Sequence, residues 1–286
     1  MQRTLIQLDP DKHASSFDAM VAIDSGVDRL LQYSDVTVDD VQNLVYGAIF
    51  TRGPADLKNT AFFVGGANVG QGEALLEKVK ATFFGPMSVS VLIDSNGANT
   101  TASAAVVAAR RHVTLQGANG LVLAGTGPVG RRVAQLLALE GANVQVASRS
   151  LERASAVCDE LQQKCDGTFT PVAPSNDSEL AAIVNESSMV FAAGTTGVEL
   201  LPEAIWKASD TKVVVDLNAV PPLGIAGIKV HDAGVDYDGT FAYGAIGVGG
   251  TKMKIHKAAI QALFTDNSLV LDAAEVYRIG VELDSA

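Results

Sequence analysis

The sequence predicts an α/β protein built on a doubly wound parallel sheet, and three observations support this fold class. Short apolar segments alternate with amphipathic helical segments along the 286 residues, the pattern of repeated β-α-β units. A glycine-rich turn at 125–130 joins an apolar segment directly to a helix. Apolar residues make up 48% of the chain, enough for a substantial core. At roughly 150 residues per domain, the length favours two domains.

The N-terminal domain is predicted to span residues 1–105. A helix is predicted from Ser16, and a second in the amphipathic segment GEALLEKVKATFF (72–84). The predicted strands are TLIQLD (4–9), VYGAIFT (45–51), TAFFVGG (60–66) and the start of SVSVLIDSNGANTTAS (88–103).

The second domain is predicted to span residues 106–251. Its helix from Pro128 to Glu140 carries apolar side chains on one face, and proline is tolerated in the first helical turn. Residues 252–286 are predicted to be helical and to return to the first domain. DAAE (272–275) resembles a capping box, with Asp rather than Ser or Thr at the N-cap. The predicted strands of the second domain are Leu121–Ala124, ANVQVAS (142–148), SMVFAAG (188–194) and KVVVDLN (212–218).

Charge and composition exclude several classes of protein. The net charge of −11 argues against nucleic acid, which is bound by clustered positive charge. No apolar run approaches the roughly 18 residues of a membrane span, and residues 1–16 lack the apolar core of a secretory signal. Cys158 and Cys165 have no metal-ligand spacing, so a reduced, cytoplasmic location is expected.

The glycine-rich turn reads Gly125, Thr126, Gly127, Pro128, Val129, Gly130 and fits the pattern GxGxxG. The pattern alone is weak, but here it follows a predicted strand and opens a predicted helix, the context that dinucleotide binding requires. The helix amino terminus would then offer amide groups and partial positive charge to a pyrophosphate. The alternative is an ordinary strand-to-helix turn.

The segment VASRS (146–150) follows the second strand, where an NAD-binding chain often carries an acid. This chain has Ser148, Arg149 and Ser150 there, with Arg153 as a second cation. A guanidinium suits a 2′-phosphate, which a carboxylate would repel. The sequence therefore predicts NADP, with NAD as a weaker alternative; a solvated surface arginine is the other interpretation.

Three polar loops are expected at the carboxyl ends of strands, where open α/β sheets bind ligands. In AAGTTG (192–197) and DLNAVPPLG (216–224), Thr195 and Asn218 are predicted to face the nicotinamide half of the cofactor. DSNGANTT (94–101) is predicted to face a substrate, although turn chemistry explains such residues equally well. Lys252 and Lys254 follow a glycine run before a helix, where they either contact a polar heterocycle or are simply solvated. The histidines lack ligand spacing, and no metal site is predicted.

Many of these segments together resemble the bacterial NADP-dependent methylene-tetrahydromethanopterin dehydrogenases. The combination is specific, although no single segment is, and it extends over almost the whole chain. The matching segments are SSFDAMVAIDSG (15–26), IFTRG (49–53), FVGG (63–66), FFGP (83–86), LIDSNGANTTA (92–102), LAGTGPVG (123–130), NAVPPLGIAGI (218–228) and GAIGVGGTKMKIH (244–256).

The resemblance implies hydride transfer between the methylene carbon of a tetrahydropterin and NADP, giving the methenyl form and NADPH. It implies a Rossmann-type domain, an N-terminal α/β substrate domain completed by C-terminal helices, an active site in the cleft between them, and a homo-oligomer. Asp18, Asn96, Thr100 and Lys254 match the pterin contacts, with Lys252 and His256 as further candidates. Lys254 is the residue expected to take part in catalysis, by orienting the pterin rather than as a base.

Two other functions are compatible with the residues alone. One is an NADP-dependent oxidoreductase of a small carbonyl substrate, which would need a proton donor. The other is a sensor that binds NADP without turnover. Neither a membrane nor a nucleic acid is an expected partner.

Overall fold

A computed structural model describes residues 1–285. The chain forms two compact units, one from Met1–Thr100 with Met253–Asp284, the other from Thr101–Lys252. The chain passes from one unit to the other at Thr100–Thr101 and at Lys252–Met253, and both points lie inside helices rather than in linkers. None of the helices within residues 1–285 is long and apolar enough to cross a membrane.

Strands and helices alternate along the chain, as predicted. The strands are β1 (Thr4–Leu8), β2 (Arg29–Tyr33), β3 (Thr60–Val64), β4 (Ser90–Ile93), β5 (Asn119–Leu123), β6 (Asn143–Ala147), β7 (Thr168–Val172), β8 (Met189–Ala192), β9 (Val213–Asp216), β10 (Ala233–Tyr237), β11 (Thr240–Tyr243) and β12 (Val270–Leu271). The α-helices are α1 (Ser16–Asp24), α2 (Val38–Ile49), α3 (Val69–Thr82), α4 (Ala98–Arg110), α5 (Pro128–Leu139), α6 (Leu151–Lys164), α7 (Asp177–Asn185), α8 (Glu203–Lys207), α9 (Ala245–Ala262) and α10 (Ala273–Ser285).

The first unit holds a parallel sheet in the order β12-β4-β3-β1-β2. Strands β3 and β4 are buried along their whole length, which explains their uninterrupted apolar sequences. Because β12 pairs with β4, the C-terminal segment completes this sheet. One of the two bonds of the predicted capping box is present at α10, where the Asp272 N–H donates to Glu275 Oε2 at 3.2 Å; the Asp272 Oδ1 accepts the Ala273 N–H instead.

The second unit holds a larger sheet in the order β10-β11-β9-β8-β5-β6-β7. Its pairs are parallel except β10 with β11. Strand β5 lies in the interior of the sheet, and the chain continues to β6 on one side while β8 lies on the other. This is the topological switch point of a doubly wound sheet, where ligands bind. The predicted α/β fold class, with its Rossmann-type sheet, is confirmed.

Several element predictions are wrong. Residues 45–49 belong to α2 rather than to a strand, because Val41, Val45 and Ile49 recur at helical spacing and are buried together. A capping box starts this helix, with the Thr37 N–H donating to Asp40 Oδ2 at 2.9 Å. The strands that were not predicted are β2, β7, β10, β11 and β12; the last lies in the segment predicted to be helical.

The final helical segment also begins earlier than predicted. Helix α9 starts at Ala245, so the glycine run and both lysines lie inside it. A Cβ built at Gly247 would overlap the carbonyl oxygen of Asp232, so glycine there lets the helix pack against backbone.

Candidate nucleotide-binding site and substrate-binding residues

The glycine-rich turn connects β5, an interior strand of the second sheet, to α5. The Gly125 N–H donates to the Ala147 carbonyl at 2.9 Å, which ties the turn to β6. Ala124 takes the positive φ of 53°, so the turn does not need glycine at 125 for its backbone conformation. It needs glycine there for space, because a built Cβ would lie 2.9 Å from the Val122 carbonyl oxygen.

The other two glycines of the pattern have different surroundings. A Cβ at Gly130 would lie 2.7 Å from the Gly125 Cα, so this glycine lets α5 pack against the turn. A Cβ at Gly127 would meet nothing closer than the Ala124 carbonyl oxygen at 3.8 Å. Gly127 precedes Pro128, the first residue of α5, whose leading amides have no intrahelical partner. The space in front of Gly127 therefore suits an anion.

A cavity of about 820 Å³ opens in front of this turn. That volume lies within the roughly 300–1,000 Å³ of small-molecule sites. Its lining combines residues from the carboxyl ends of four strands. They are Leu123, Ala124, Thr126, Gly127, Ala147, Ser148, Arg149, Ser150, Arg153, Pro174, Ser175, Asn176, Asp177, Leu180, Ala193, Gly194, Thr195, Val198, Glu199 and Leu200.

The predicted 2′-phosphate residues meet at one part of this lining. Arg149 and Arg153 are exposed, whereas Ser148 and Ser150 are partly buried. Ser150 is the N-cap of α6, and its Oγ accepts the Arg153 N–H at 3.3 Å. The Ser148 Oγ accepts the Ser150 N–H at 3.3 Å. The serines thus shape the start of α6 as well as offering hydroxyl groups, and the helix amino terminus adds partial positive charge.

Sequence reasoning missed the 174–180 part of the lining. It follows β7, whose sequence TFTPV contains a proline and was not recognised as a strand. Asp177 and Glu199 add carboxylates to the cavity that were not predicted. Recognising β7 as a strand beside β6 would have indicated that residues 174–180 reach the cavity, since neighbouring parallel strands end at the same edge of the sheet.

The two residues predicted for the nicotinamide half lie in different surroundings. Thr195 lines the cavity. Asn218 is buried and, among the described residues, is not part of that lining. Its Oδ1 accepts the Val220 N–H at 3.0 Å and its Nδ2 donates to the Pro222 carbonyl at 3.2 Å. Through these bonds the Asn218 side chain holds the 216–224 loop, and its contact with the cofactor stays a prediction.

Asp216 anchors the same loop from the end of β9. Its Oδ1 accepts the Asn218 N–H and its Oδ2 the Ile225 N–H, both at 2.9 Å. Burial raises the pKa of this carboxyl, against the opposing effect of the backbone hydrogen bonds. The pattern of Asp at the end of a strand before a turn was visible in the sequence, but its burial was not.

In the first unit, Asp18 and Asn96 lie at the carboxyl edge of the sheet. A Cβ built at Gly65, just after β3, would lie 3.5 Å from Asp18 Oδ2 and 3.4 Å from Asp9 Oδ2. The Asn96 side chain is exposed, and the backbone N–H of Asn96 donates to the Gly66 carbonyl at 2.7 Å. Its φ of 56° is in the left-handed region that asparagine tolerates.

Asp9 was not predicted, yet it organises this edge. Its buried carboxylate accepts the N–H of Ser15 at 2.9 Å and of Asp11 at 3.0 Å. Ser15 in turn caps α1, since its Oγ accepts the Asp18 N–H at 3.2 Å. Asp9 therefore fixes the start of the helix that carries Asp18.

Two of the residues predicted to contact the pterin are buried. Thr100 is 0% exposed, and its hydroxyl donates to Asp94 Oδ2 at 2.6 Å. His256 is also 0% exposed and stacks on Phe63 with ring centroids 5.7 Å apart. Neither side chain reaches solvent.

The lysines of α9 differ in exposure. Lys254 is exposed, whereas Lys252 is partly buried. Within residues 1–285, no group of three or more His, Cys, Asp and Glu side chains is placed to hold a metal ion.

Comparison with known proteins relates the whole chain to one family. A family model described as methylene-tetrahydromethanopterin dehydrogenase, N-terminal, matches residues 16–96. The bifunctional protein MdtA of Methylorubrum extorquens is 44% identical over 285 residues, covering 99% of each chain. The NAD(P)-dependent methylenetetrahydromethanopterin dehydrogenase of the same organism is 31% identical over 295 residues, again covering 99% of each.

The chain belongs to the methylene-tetrahydromethanopterin dehydrogenase family. The resemblance noted from the sequence segments is thereby confirmed. Among solved structures, the ligand-free 5-ketofructose reductase of Gluconobacter sp. strain CHM43 matches with a TM-score of 0.53 and 15% identity over 99% of each chain. At that identity the likeness concerns the fold alone.

Proposed function

We propose that this protein oxidises a methylene-tetrahydropterin, methylene-tetrahydromethanopterin, to its methenyl form with NADP as hydride acceptor. The observation that carries the proposal is the cavity at the glycine-rich turn, with Arg149 and Arg153 in its lining, in a chain of this family. When bound, NADP supplies a nicotinamide ring that takes up a hydride. The reaction is reversible and belongs to the oxidoreductases that act on CH–NH donors.

The cavity has the features that a dinucleotide requires. The open space at Gly127 and the amino terminus of α5 suit the pyrophosphate. Arg149 and Arg153, together with the start of α6, suit a 2′-phosphate. We therefore propose NADP as the preferred cofactor and NAD as the weaker one. Thr195 is the residue proposed nearest the nicotinamide half.

The pterin side of the reaction places few chemical demands on the protein. The methylene carbon lies between two nitrogen atoms, whose lone pairs stabilise the cation that remains when hydride leaves. The step itself needs no general acid or base. The protein has to orient the reactants and exclude water.

Asp18, Asn96 and Lys254 are the proposed pterin contacts. Their side chains are at least partly exposed, and carboxylate, amide and ammonium groups suit the polar edge of a pterin ring. A cation beside the reacting carbon would oppose the charge that develops there, so Lys254 is proposed to contact the far edge of the ring. Thr100 and His256 are proposed to act indirectly, from beneath this surface.

The decisive experiment supplies purified protein with methylene-tetrahydromethanopterin and either NADP or NAD, following the near-ultraviolet absorbance of the methenyl product. We expect turnover with both nucleotides and a higher kcat/KM with NADP. Tight NADP binding without turnover would contradict the proposal and favour a sensor. A carbonyl reductase would instead turn over a carbonyl substrate, and its pH–rate profile would show the pKa of a proton donor.

We also propose that the enzyme is cytoplasmic and homo-oligomeric. Its two cysteines are free, and burial, with a smaller effect of Asp159, raises the pKa of Cys158 to about 11. Such a thiol stays protonated, as expected for a protein that relies on no disulfide. Light scattering on the purified protein would measure the number of subunits, and a monomer would contradict this part of the proposal.

A further inference from the structure

Arg131 holds the glycine-rich turn from outside the cavity. Its Nε donates to the carbonyl oxygen of Thr126 at 3.0 Å, and its Nη1 forms an ion pair with Glu160 Oε2 on α6. Among the described residues, the cavity lining includes Thr126 but not Arg131. Arg131 therefore contacts the backbone of the turn without reaching into the space where a ligand would lie.

Glu160 is itself held on its other side. Lys164 Nζ lies 3.0 Å from Glu160 Oε1, one helical turn further along α6. Partial burial raises the pKa of Glu160, but the hydrogen bonds and charges of Lys164 and Arg131 outweigh it and lower the pKa below its usual value. The carboxylate is ionised at neutral pH, so the guanidinium has a charged partner that fixes its direction.

The bond to Thr126 adds to the backbone bonds at either side of it, in which the Gly125 N–H donates to the Ala147 carbonyl and the Arg131 N–H to the Gly127 carbonyl, both at 2.9 Å. The Gly127 N–H donates to the Ala124 carbonyl at 3.3 Å, which is long for such a bond. A peptide group is planar, so holding the Thr126 carbonyl also fixes the direction of the Gly127 N–H. Because that N–H donates to the Ala124 carbonyl, the orientation of this peptide sets the shape of the turn and the open space in front of Gly127.

We propose that Arg131 is a positioning residue for the dinucleotide, and that its pair with Glu160 keeps the Thr126–Gly127 peptide aligned for the pyrophosphate. This inference rests on the proposed cofactor site. It assigns a role in affinity to two charged side chains that do not contact the ligand.

The test compares Arg131→Met with Glu160→Gln, and uses Lys164→Met as the matched control. Lys164 pairs with the same carboxylate but does not bond the turn. Calorimetric titration with NADP and with NAD should give Arg131→Met a Kd about tenfold higher than that of the unaltered protein, a loss of about 1.4 kcal/mol. The factor should be the same for both nucleotides, because both contain the pyrophosphate. Glu160→Gln should raise both Kd values by a smaller factor. Lys164→Met should change neither.

Kinetics and stability separate positioning from a general structural effect. Arg131→Met should raise the KM for NADP while kcat stays unchanged, the signature of lost uniform binding. Its free energy of unfolding should be lower than that of Lys164→Met by no more than about 1 kcal/mol, the value of the additional hydrogen bond to Thr126 that it loses, since the ion pair that each variant removes is exposed and of small energetic value. If Arg131→Met does not fold, Glu160→Gln decides the question.

Three results would overturn the inference. Equal nucleotide affinity in Arg131→Met and Lys164→Met would show that the bond to Thr126 has no effect on binding. Unchanged binding in Glu160→Gln would show that the ion pair has no effect on the turn, and tighter binding would show that Arg131 contacts phosphate directly, because removing a nearby negative charge would then favour the anion. A loss confined to NADP would place Arg131 at the 2′-phosphate. Gly127→Val tests the cavity separately: retained NADP affinity there would contradict the proposed cofactor site itself.

Discussion

Gly249 and Gly250 lie inside α9, where glycine destabilises a helix. A Cβ built at either position would have no heavy atom within 4 Å, in contrast to Gly247, where it would overlap the Asp232 carbonyl. Packing therefore requires glycine at 247 but not at 249 or 250. Each interior glycine costs about 1 kcal/mol relative to alanine, so the pair costs about 2 kcal/mol without a steric reason within the described chain.

We predict that Gly250→Ala stabilises the protein but weakens pterin binding. The free energy of unfolding should rise by about 1 kcal/mol, the helix-propensity difference. Gly250 lies one turn before Lys254 on the same face of α9, so the added methyl group would project beside the lysine. Where a flat ring has to lie against the helix, that group should raise the pterin KM about tenfold, or about 1.4 kcal/mol. The KM for NADP should not change.

The assay pairs urea unfolding with steady-state kinetics in which each substrate is varied. Gly249→Ala is the matched control, because it gains the same helix propensity while its methyl group points about 100° around the helix. It should stabilise equally and leave the pterin KM unchanged. An unchanged pterin KM in Gly250→Ala would refute the reasoning. An equal fall of kcat in both variants would also refute it, and would indicate that flexibility of α9 is what the glycines provide.

The remaining predictions concern the two ligands separately. Arg149→Ala should weaken NADP binding by roughly 1.5–3 kcal/mol, the range for a hydrogen bond to a charged group, with NAD binding almost unchanged; equal losses would contradict the 2′-phosphate assignment. Gly127→Val should abolish nucleotide binding in a folded protein, because the valine side chain would occupy the open space proposed for the pyrophosphate; circular dichroism would check the fold and titration calorimetry the binding. Lys254→Met should raise the pterin KM at least tenfold, about 1.4 kcal/mol, with NADP affinity nearly intact; a loss confined to NADP would reduce Lys254 to a solvated surface lysine.

The sequence by itself determined the features that depend on short stretches of chain. Strand β5, the glycine-rich turn and helix α5 follow one another directly, so their periodicity and the proline at 128 were sufficient to predict them. The missing acid after β6 was equally visible, because its meaning depends on its distance from that turn. These local signals also determined the fold class.

Only the tertiary structure decided which polar residues face solvent. Thr100, Asn218 and His256 have the chemistry of ligand contacts, yet each is buried. Sequence pattern does not distinguish a polar side chain that bonds a neighbouring carboxylate or carbonyl from one that awaits a ligand, because both occur in glycine-rich and asparagine-rich loops.

The tertiary structure also decided which distant segments meet. Residues 174–180 reach the cavity because β7 pairs with β6, and Arg131 meets Glu160 because α5 and α6 lie beside each other. Strand pairing and helix packing depend on contacts far apart in the chain, whereas hydrophobic periodicity reports only on the segment in which it occurs. For this reason the sequence identified the turn that would hold a dinucleotide, but the residue that holds the turn was found only in the folded protein.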